Sequence, residues 1–262
     1  MMTHNIITLL TDFGWQDVYV GVMKGAIARI NSQLQVIDLT HDIPPQDIAA
    51  ARFCLSNAYP YFPPQTVHVA VVDPGVGSKR RGVAIQFSGG FIVCPDNGLC
   101  SGILETTSVI AAVELNNPQY WRSPNPSHTF HGRDIFAPVG AHLATGVPLA
   151  ELGDAIAPES LIRLPLPELQ IKDTEIAGCI QYIDRFGNSI SNIRGDRLEG
   201  ESWLVTVADK TIRLATTYSD VAPGEVLALV GSHGWLEVAV NSGNAAQQLS
   251  LQVGSELKIK KQ

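Results

Sequence analysis

From Asn5 onward, short β-branched apolar runs alternate with stretches in which apolar residues recur every three or four positions. NIITLLTD (5–12) reads as a strand, DVYVGVMKGAIARIN (17–31) as an amphipathic helix and LQVIDLT (34–40) as a strand. PQDIAAARFCLSNAYPYF (45–62) follows as a helix and TVHVAVVD (66–73) as a strand. GVAIQFSGGFIVCPDNG (82–98) predicts two strands around a Gly-Gly turn, and GRDIFAPVGAHLATG (132–146) a helix closed by glycine. This alternation predicts an α/β domain with a largely parallel sheet over residues 1–160.

The texture then changes. Pro158, Pro165 and Pro167 break up APESLIRLPLPELQIKD, which predicts a linker over 161–172. Beyond it, IAGCIQYID, SWLVTVAD, KTIRLATTY, VLALVGSHGWLEVAVN and LQVGSELKIK are short strands separated by Gly, Asp and Asn, with hardly a helical pattern among them. Residues 173–262 are therefore expected to form a smaller all-β domain, a barrel or a sandwich.

Composition narrows the function. A chain of 262 residues that is 45% hydrophobic fills its core without covalent staples. The net charge of -7 and the lack of any basic run argue against nucleic acid, so small molecules are the expected partners. Cys54, Cys94, Cys100 and Cys179 are scattered, with no CxxC pair and no zinc-finger spacing, which fits a reducing cytoplasm. The sequence shows no charged leader and no apolar run of membrane-spanning length, so a soluble, unprocessed protein that avoids membranes is expected.

In open α/β sheets, ligands bind beyond the carboxyl ends of the strands. The first strand ends in LLTDFGWQD and so delivers Asp12 to such a position. A kinase-type Asp-Phe-Gly would need a glycine-rich loop, a strand lysine and an HRD-type loop before it, and none precedes residue 12. The plain alternative is that Asp12 caps the helix starting near Asp17. VVDPGVGSKRRG places Asp73 at a second strand end, with Gly75 and Gly77 permitting a close approach of backbone to ligand. The glycines match neither the dinucleotide nor the P-loop pattern, and an aspartate that merely opens a turn, with Arg80 and Arg81 as surface charge, is the structural alternative.

HTFHGRDIFAP crowds His131, Gly132, Arg133 and Asp134 where a helical pattern begins, a place that favours anions. In the second half, YIDRFGNSISNI repeats the carboxylate-aromatic-glycine arrangement with Asp184, Phe186, Gly187 and Asn188. LVGSHGWLEVAVNSGNA offers Ser232, His233 and Glu237 on another strand-turn. Each of these is equally compatible with turn chemistry.

Taken in order, TDFG, VVDPGVGSKRR, PDNG, FHGRDIFAP, IDRFGNSISNI and GSHGWLEVAVNSGNA resemble the S-adenosyl-L-methionine (SAM) hydroxide adenosyltransferases. These SAM hydrolases are relatives of the SAM-dependent fluorinase and chlorinase. The resemblance spans nearly the whole chain and implies a homotrimer, with SAM held between the N-terminal domain of one subunit and the C-terminal domain of the next. It implies attack of water or hydroxide on the ribose C5′, releasing L-methionine and adenosine. The family's Asp-Arg-His set maps onto Asp73, Arg80 and His131, and its ribose-binding aspartate onto Asp12. Asp184 and Ser232 would hold the methionine ammonium and carboxylate, Phe186 and Asn188 the adenine, and Glu237 and Val240 the last strand's approach to the nucleoside. His233 stands where the halogenating relatives have an arginine, and Phe13, Trp15 and Phe186 would supply apolar walls.

No metal or other cofactor is expected, because the sulfonium is already a good leaving group and the burden falls on the nucleophile. Other readings stay open. One is a metal-dependent phosphohydrolase using Asp12, Asp17, Asp73, His131 and Asp134; another is a halogenase-like enzyme; a third is an adenosine or SAM sensor without turnover.

Overall fold

The apolar run that begins the chain forms β1 (Ile6–Thr11), buried on both faces from Ile7 onward, as a central parallel strand must be. The computed structural model describes residues 5–262, so Met1 to His4, part of the stretch read for a leader, lie outside the described residues. The chain divides into two compact units, one ending at Leu164 and the other beginning at Pro165.

In the first unit β1 is followed by α1 (Tyr19–Ile30), which buries Val20, Met23, Ala26 and Ile27 along one stripe. Next come β2 (Gln35–Thr40), α2 (Ile48–Ala58) and β3 (Thr66–Val71), the last wholly buried. Asp47 caps α2 by accepting from the Ala50 amide at 2.8 Å. β4 (Gly82–Phe87) and β5 (Gly90–Pro95) form the expected hairpin, then α3 (Ser101–Thr106), β6 (Val109–Glu114) and α4 (Ala137–Ala144) complete the unit. The sheet order is β2-β1-β3-β5-β4-β6. β2, β1, β3 and β5 are parallel, and β4 alone runs against its neighbours, so the sheet is mixed but largely parallel.

The register of β1 on β3 matters most for function. Thr11 pairs with Val71, so the two strands end side by side and release Asp12 and Asp73 at one sheet edge. The helix expected over 132–146 opens instead with a π turn, Gly132–Phe136, before α4 begins. Gly146, at φ +102, follows α4 as the closing glycine.

The second unit holds β7 (Gln170–Lys172), β8 (Glu175–Ile183), β9 (Ser189–Arg194), β10 (Trp203–Val207), β11 (Lys210–Arg213), β12 (Val226–Val230), β13 (Trp235–Val240), the short α5 (Ala245–Gln248) and β14 (Glu256–Lys261). Its eight strands form one sheet in the order β11-β10-β14-β8-β9-β13-β12, with β7 on β8. A bridge from Leu214 to Ala228 brings the two ends of this order together, and the result is a nearly closed barrel. Among the described residues, no helix is long and apolar enough to cross a membrane.

Candidate active site

A cleft of about 680 Å³ opens at the sheet edge of the first unit, within the size range of small-molecule sites. Asp12, Phe13, Asp73 and His131 all line it. Asp12 does not cap α1. Its Oδ2 accepts from the Gln46 amide at 2.7 Å, and the N-cap of α1 is Val18, with no side-chain hydrogen bond. The capping alternative therefore falls.

Asp73, Arg80 and His131 form one connected set. Arg80 donates from Nε to Asp73 Oδ1 at 2.8 Å and from Nη2 to Asp73 Oδ2, a bidentate pair in which both side chains are largely buried. The same Nη2 donates to Nδ1 of His131 at 2.8 Å. A guanidinium has no acceptor, so Nδ1 must accept and the imidazole proton sits on Nε2. Burial, together with the Arg80 charge, pushes the His131 pKa down, against an opposing pull from Asp73. His131 is thus held neutral with an N–H to donate, while Arg80 lies behind and its guanidinium sits 5.2 Å from the Phe136 ring.

Two loops bring this set together. The 73–80 loop is tied by the Val76 amide to the Asp73 carbonyl and by the Ser78 hydroxyl to the Gly75 carbonyl. Gly77, at φ +76, lies so close to the 127–131 loop that a Cβ there would sit 2.3 Å from the His128 carbonyl oxygen. The close approach expected at Gly77 is therefore to that loop. Asp134 anchors the second loop. It accepts from Arg122, from both Nε and Nη2 of Arg133, and from the Ser127 amide. Burial alone would raise the Asp134 carboxyl, but these hydrogen bonds outweigh it and hold the group well below the usual carboxylate range. Enclosed in this way, Asp134 shapes the loop and does not face a ligand.

Adjacent arginines diverge. Arg81 turns away from Arg80 and pairs through Nε and Nη2 with buried Asp96 of the PDNG turn. Asn97 of the same turn donates to the Val72 carbonyl at 2.9 Å, bracing the residue before Asp73. PDNG is thus a strut beneath the Asp73 loop.

The apolar wall differs from expectation. Phe13 is present, in edge-to-face contact with Tyr19 and Phe130 at centroid distances of 5.8 and 5.7 Å. Trp15 is absent from it. It lies 58% exposed with its ring against His41, because the chain turns at Gly14 and carries it off the cleft. Tyr19, Phe130, Gln46, Ser127 and Thr129 line the cleft without having been singled out in the sequence. Tyr19 and Phe130 lie inside quoted stretches as apolar members of a helix pattern and of FHGRDIFAP, and only their convergence in space marks them.

The second unit splits its candidates. Phe186, Asn188 and Val240 share one concavity with Tyr218. Asp184 shapes their loop, with Oδ1 accepting from the Phe186 and Asn188 amides and Oδ2 from Asn188 Nδ2. Glu237 is buried and accepts from the Tyr218 hydroxyl at 2.5 Å and from His233 Nε2 at 3.0 Å. The Trp235 amide donates to His233 Nδ1, so both ring nitrogens of His233 are engaged. Ser232 is exposed in the turn before β13 and does not line that concavity.

The family models described as the SAM hydroxide adenosyltransferase N-terminal and C-terminal domains match residues 7–153 and 178–258. An (R)-S-adenosyl-L-methionine hydrolase of Salinispora arenicola is 41% identical over 257 residues, covering 97% of each chain. A fluorinase of Nocardia brasiliensis is 26% identical, covering 97% of this chain and 96% of its own. The crystal structure of an uncharacterized conserved protein from Thermotoga maritima superposes with a TM-score of 0.90 at 38% identity, covering 97% of this chain and 99% of that one.

Proposed function

The chain belongs to the SAM hydroxide adenosyltransferase family, and from that premise we propose that it hydrolyses SAM to adenosine and L-methionine with Asp73, Arg80 and His131 handling the attacking water. The observation that carries the roles is the bridging of Asp73 and His131 by one guanidinium beside the cleft that Asp12 also lines. The water accepts from His131 Nε2–H and donates to the Asp73 carboxylate. Its oxygen attacks C5′, the C5′–S bond breaks with its electron pair moving to sulfur, and neutral methionine thioether leaves. His131 is a poor candidate for the base. Its Nε2 already carries a proton and its Nδ1 lone pair is engaged by Arg80, so neither nitrogen is free to take one from the water.

Charge supports the same reading. Arg80 is neutralised by Asp73 and His131 is uncharged, so the set does not repel a sulfonium. Attack by an oxygen nucleophile on that cation disperses charge, which the Phe13, Tyr19 and Phe130 wall favours. Asp12 receives the ribose 2′- and 3′-hydroxyls. In the second unit, Phe186, Asn188 and Val240 meet the adenine, and Asp184 and Ser232 the methionine ammonium and carboxylate. His233 and Glu237 support that wall by holding each other and Tyr218.

A homotrimer with its sites between neighbouring subunits, a cytoplasmic setting and the absence of any cofactor complete the proposal. Hydrolysis is preferred to halogenation because the hydrolase relative is 41% identical and the fluorinase 26%. Incubation with SAM in ¹⁸O-water, followed by chromatography and mass spectrometry, tests it. The expected products are L-methionine and adenosine labelled at the 5′ oxygen; 5′-methylthioadenosine or S-adenosylhomocysteine as the main product would overturn it.

A further inference from the structure

A buried polar chain runs beneath Asp12 that the proposed chemistry leaves unused. The Phe13 amide donates to Thr11 Oγ at 3.2 Å, and Thr11 Oγ is 2.8 Å from His41 Nδ1. His41 Nε2 is 3.0 Å from Asp38 Oδ1, and Lys24 Nζ donates to Asp38 Oδ2 at 2.6 Å. Thr11 and His41 are wholly buried. With the His41 proton on Nε2, every link runs from donor to acceptor, from the Phe13 amide to His41 and from Lys24 and His41 onto Asp38. The His41 carbonyl also accepts from the Gly14 amide at 2.8 Å. Both amides that flank the turn after Asp12 are therefore held by one buried histidine, directly or through Thr11.

We propose that Thr11, His41, Asp38 and Lys24 are positioning residues that fix the backbone on which Asp12 meets the substrate's ribose diol. The ends of β1 and β2 would otherwise release the 12–14 segment as an open turn, and Gly14, at φ +66, gives it no stiffness of its own. A bidentate carboxylate contact tolerates little displacement, so loosening this segment weakens nucleoside binding before it touches the chemical step. The exposed Trp15 covers the set, with its ring 4.7 Å from His41 and Lys24 Nζ 5.8 Å from its centroid.

The inference rests on the reading of Asp12 as the diol acceptor, and the test separates the two. Adenosine binding to the full-length protein is measured by calorimetry for wild type, Thr11→Val, Thr11→Ser, Lys24→Gln and Asp12→Ala. Valine keeps the shape of threonine and removes Oγ; serine keeps Oγ. Thr11→Val is expected to weaken adenosine about tenfold, the loss of one buried hydrogen-bonded link, with Thr11→Ser restoring affinity to within about twofold. The kcat of Thr11→Val at saturating SAM is expected to stay within about threefold of wild type. Wild-type affinity in Thr11→Val, with Asp12→Ala weak, overturns the inference alone. Equal weakness in Thr11→Ser and Thr11→Val makes the effect one of packing and also overturns it. Unchanged affinity in Asp12→Ala overturns the reading beneath and the inference with it. Should Thr11→Val fail to fold, half-exposed Lys24→Gln decides: weakening of about threefold supports the inference and wild-type affinity defeats it.

Discussion

Arg80 donates to Nδ1 of His131 at 2.8 Å, and that single contact fixes which nitrogen of the imidazole carries the proton. The same guanidinium clasps Asp73 through Nε and that shared Nη2, so one arginine sets the orientation of both groups that face the cleft. Removing it is predicted to separate the two.

Arg80→Ala should lower kcat by about 10²-fold or more while leaving SAM affinity unchanged or tighter, because Asp73 then stands uncompensated near the sulfonium. Arg81→Ala should do the reverse. It removes the charge partner of Asp96, whose side chain is 1% exposed and keeps the Ile162 amide on Oδ1, and should cost about 3 kcal/mol of stability while the folded protein keeps its kcat. Chemical denaturation and steady-state kinetics on both variants check the contrast. Equal loss of kcat in the two would contradict it.

The acid limb of kcat/KM should fall below the ordinary imidazole value of 6.5, since burial and Arg80 push His131 down. Protonation puts a hydrogen on Nδ1 and breaks the Arg80 contact, so activity is retained at higher pH and lost as pH falls through that lowered value. Arg80→Met removes one downward cause and leaves the upward pull of Asp73, so the limb should move to higher pH. A pH-rate profile of wild type and Arg80→Met reads both statements.

Asp12→Ala should weaken adenosine and SAM alike, by about tenfold to about 150-fold, the cost of a lost charge-assisted hydrogen bond to the shared diol. Equilibrium binding of each ligand checks this. If adenosine affinity is unchanged, Asp12 serves only to hold the Gln46 amide.

Histidine 68 predicts the acid stability of the fold. It is buried on β3 with Nδ1 2.8 Å from Thr8 Oγ1, and burial lowers its pKa from 6.5 to about 4. Between these values the unfolded chain binds the proton and the native chain does not, so stability rises with pH there. The contribution is complete above about pH 6.5 and is lost as pH falls towards 4, amounting to about 3 kcal/mol. Urea denaturation of His68→Gln at pH 7 and pH 4.5 should show a smaller pH dependence than wild type; an equal dependence would exonerate the residue.

The sequence made some elements plain and hid others for physical reasons. β1 and β3 announce themselves because central parallel strands are apolar on both faces. β9 does not, since SISNIR is rich in Ser and Asn, and it is held as a strand by its partners: Ser191 bonds the Leu236 carbonyl and Asn192 takes the Cys179 amide. The π turn at Gly132–Phe136 has the composition of an α-helix start, and its wider winding shows only in three dimensions. Asp12, Asp73 and His131 were legible from strand ends and motif order, and all three line one cleft. Arg80 and Arg81 are adjacent and chemically identical, and their partners tell them apart: Asp73 and His131 for Arg80, buried Asp96 for Arg81. Trp15 misled because its neighbour Phe13 faces the cleft and the turn between them reverses direction.

The central claim is that Asp73 receives the proton of a water held by His131, and single-turnover formation of adenosine by Asp73→Asn tests it most directly. Asparagine keeps the size of aspartate and cannot act as the base. With SAM fully bound, the account predicts a rate at least about 10²-fold below wild type, and weaker SAM binding because Arg80 then stands uncompensated near the sulfonium. Adenosine formation at the wild-type rate by Asp73→Asn would contradict the account.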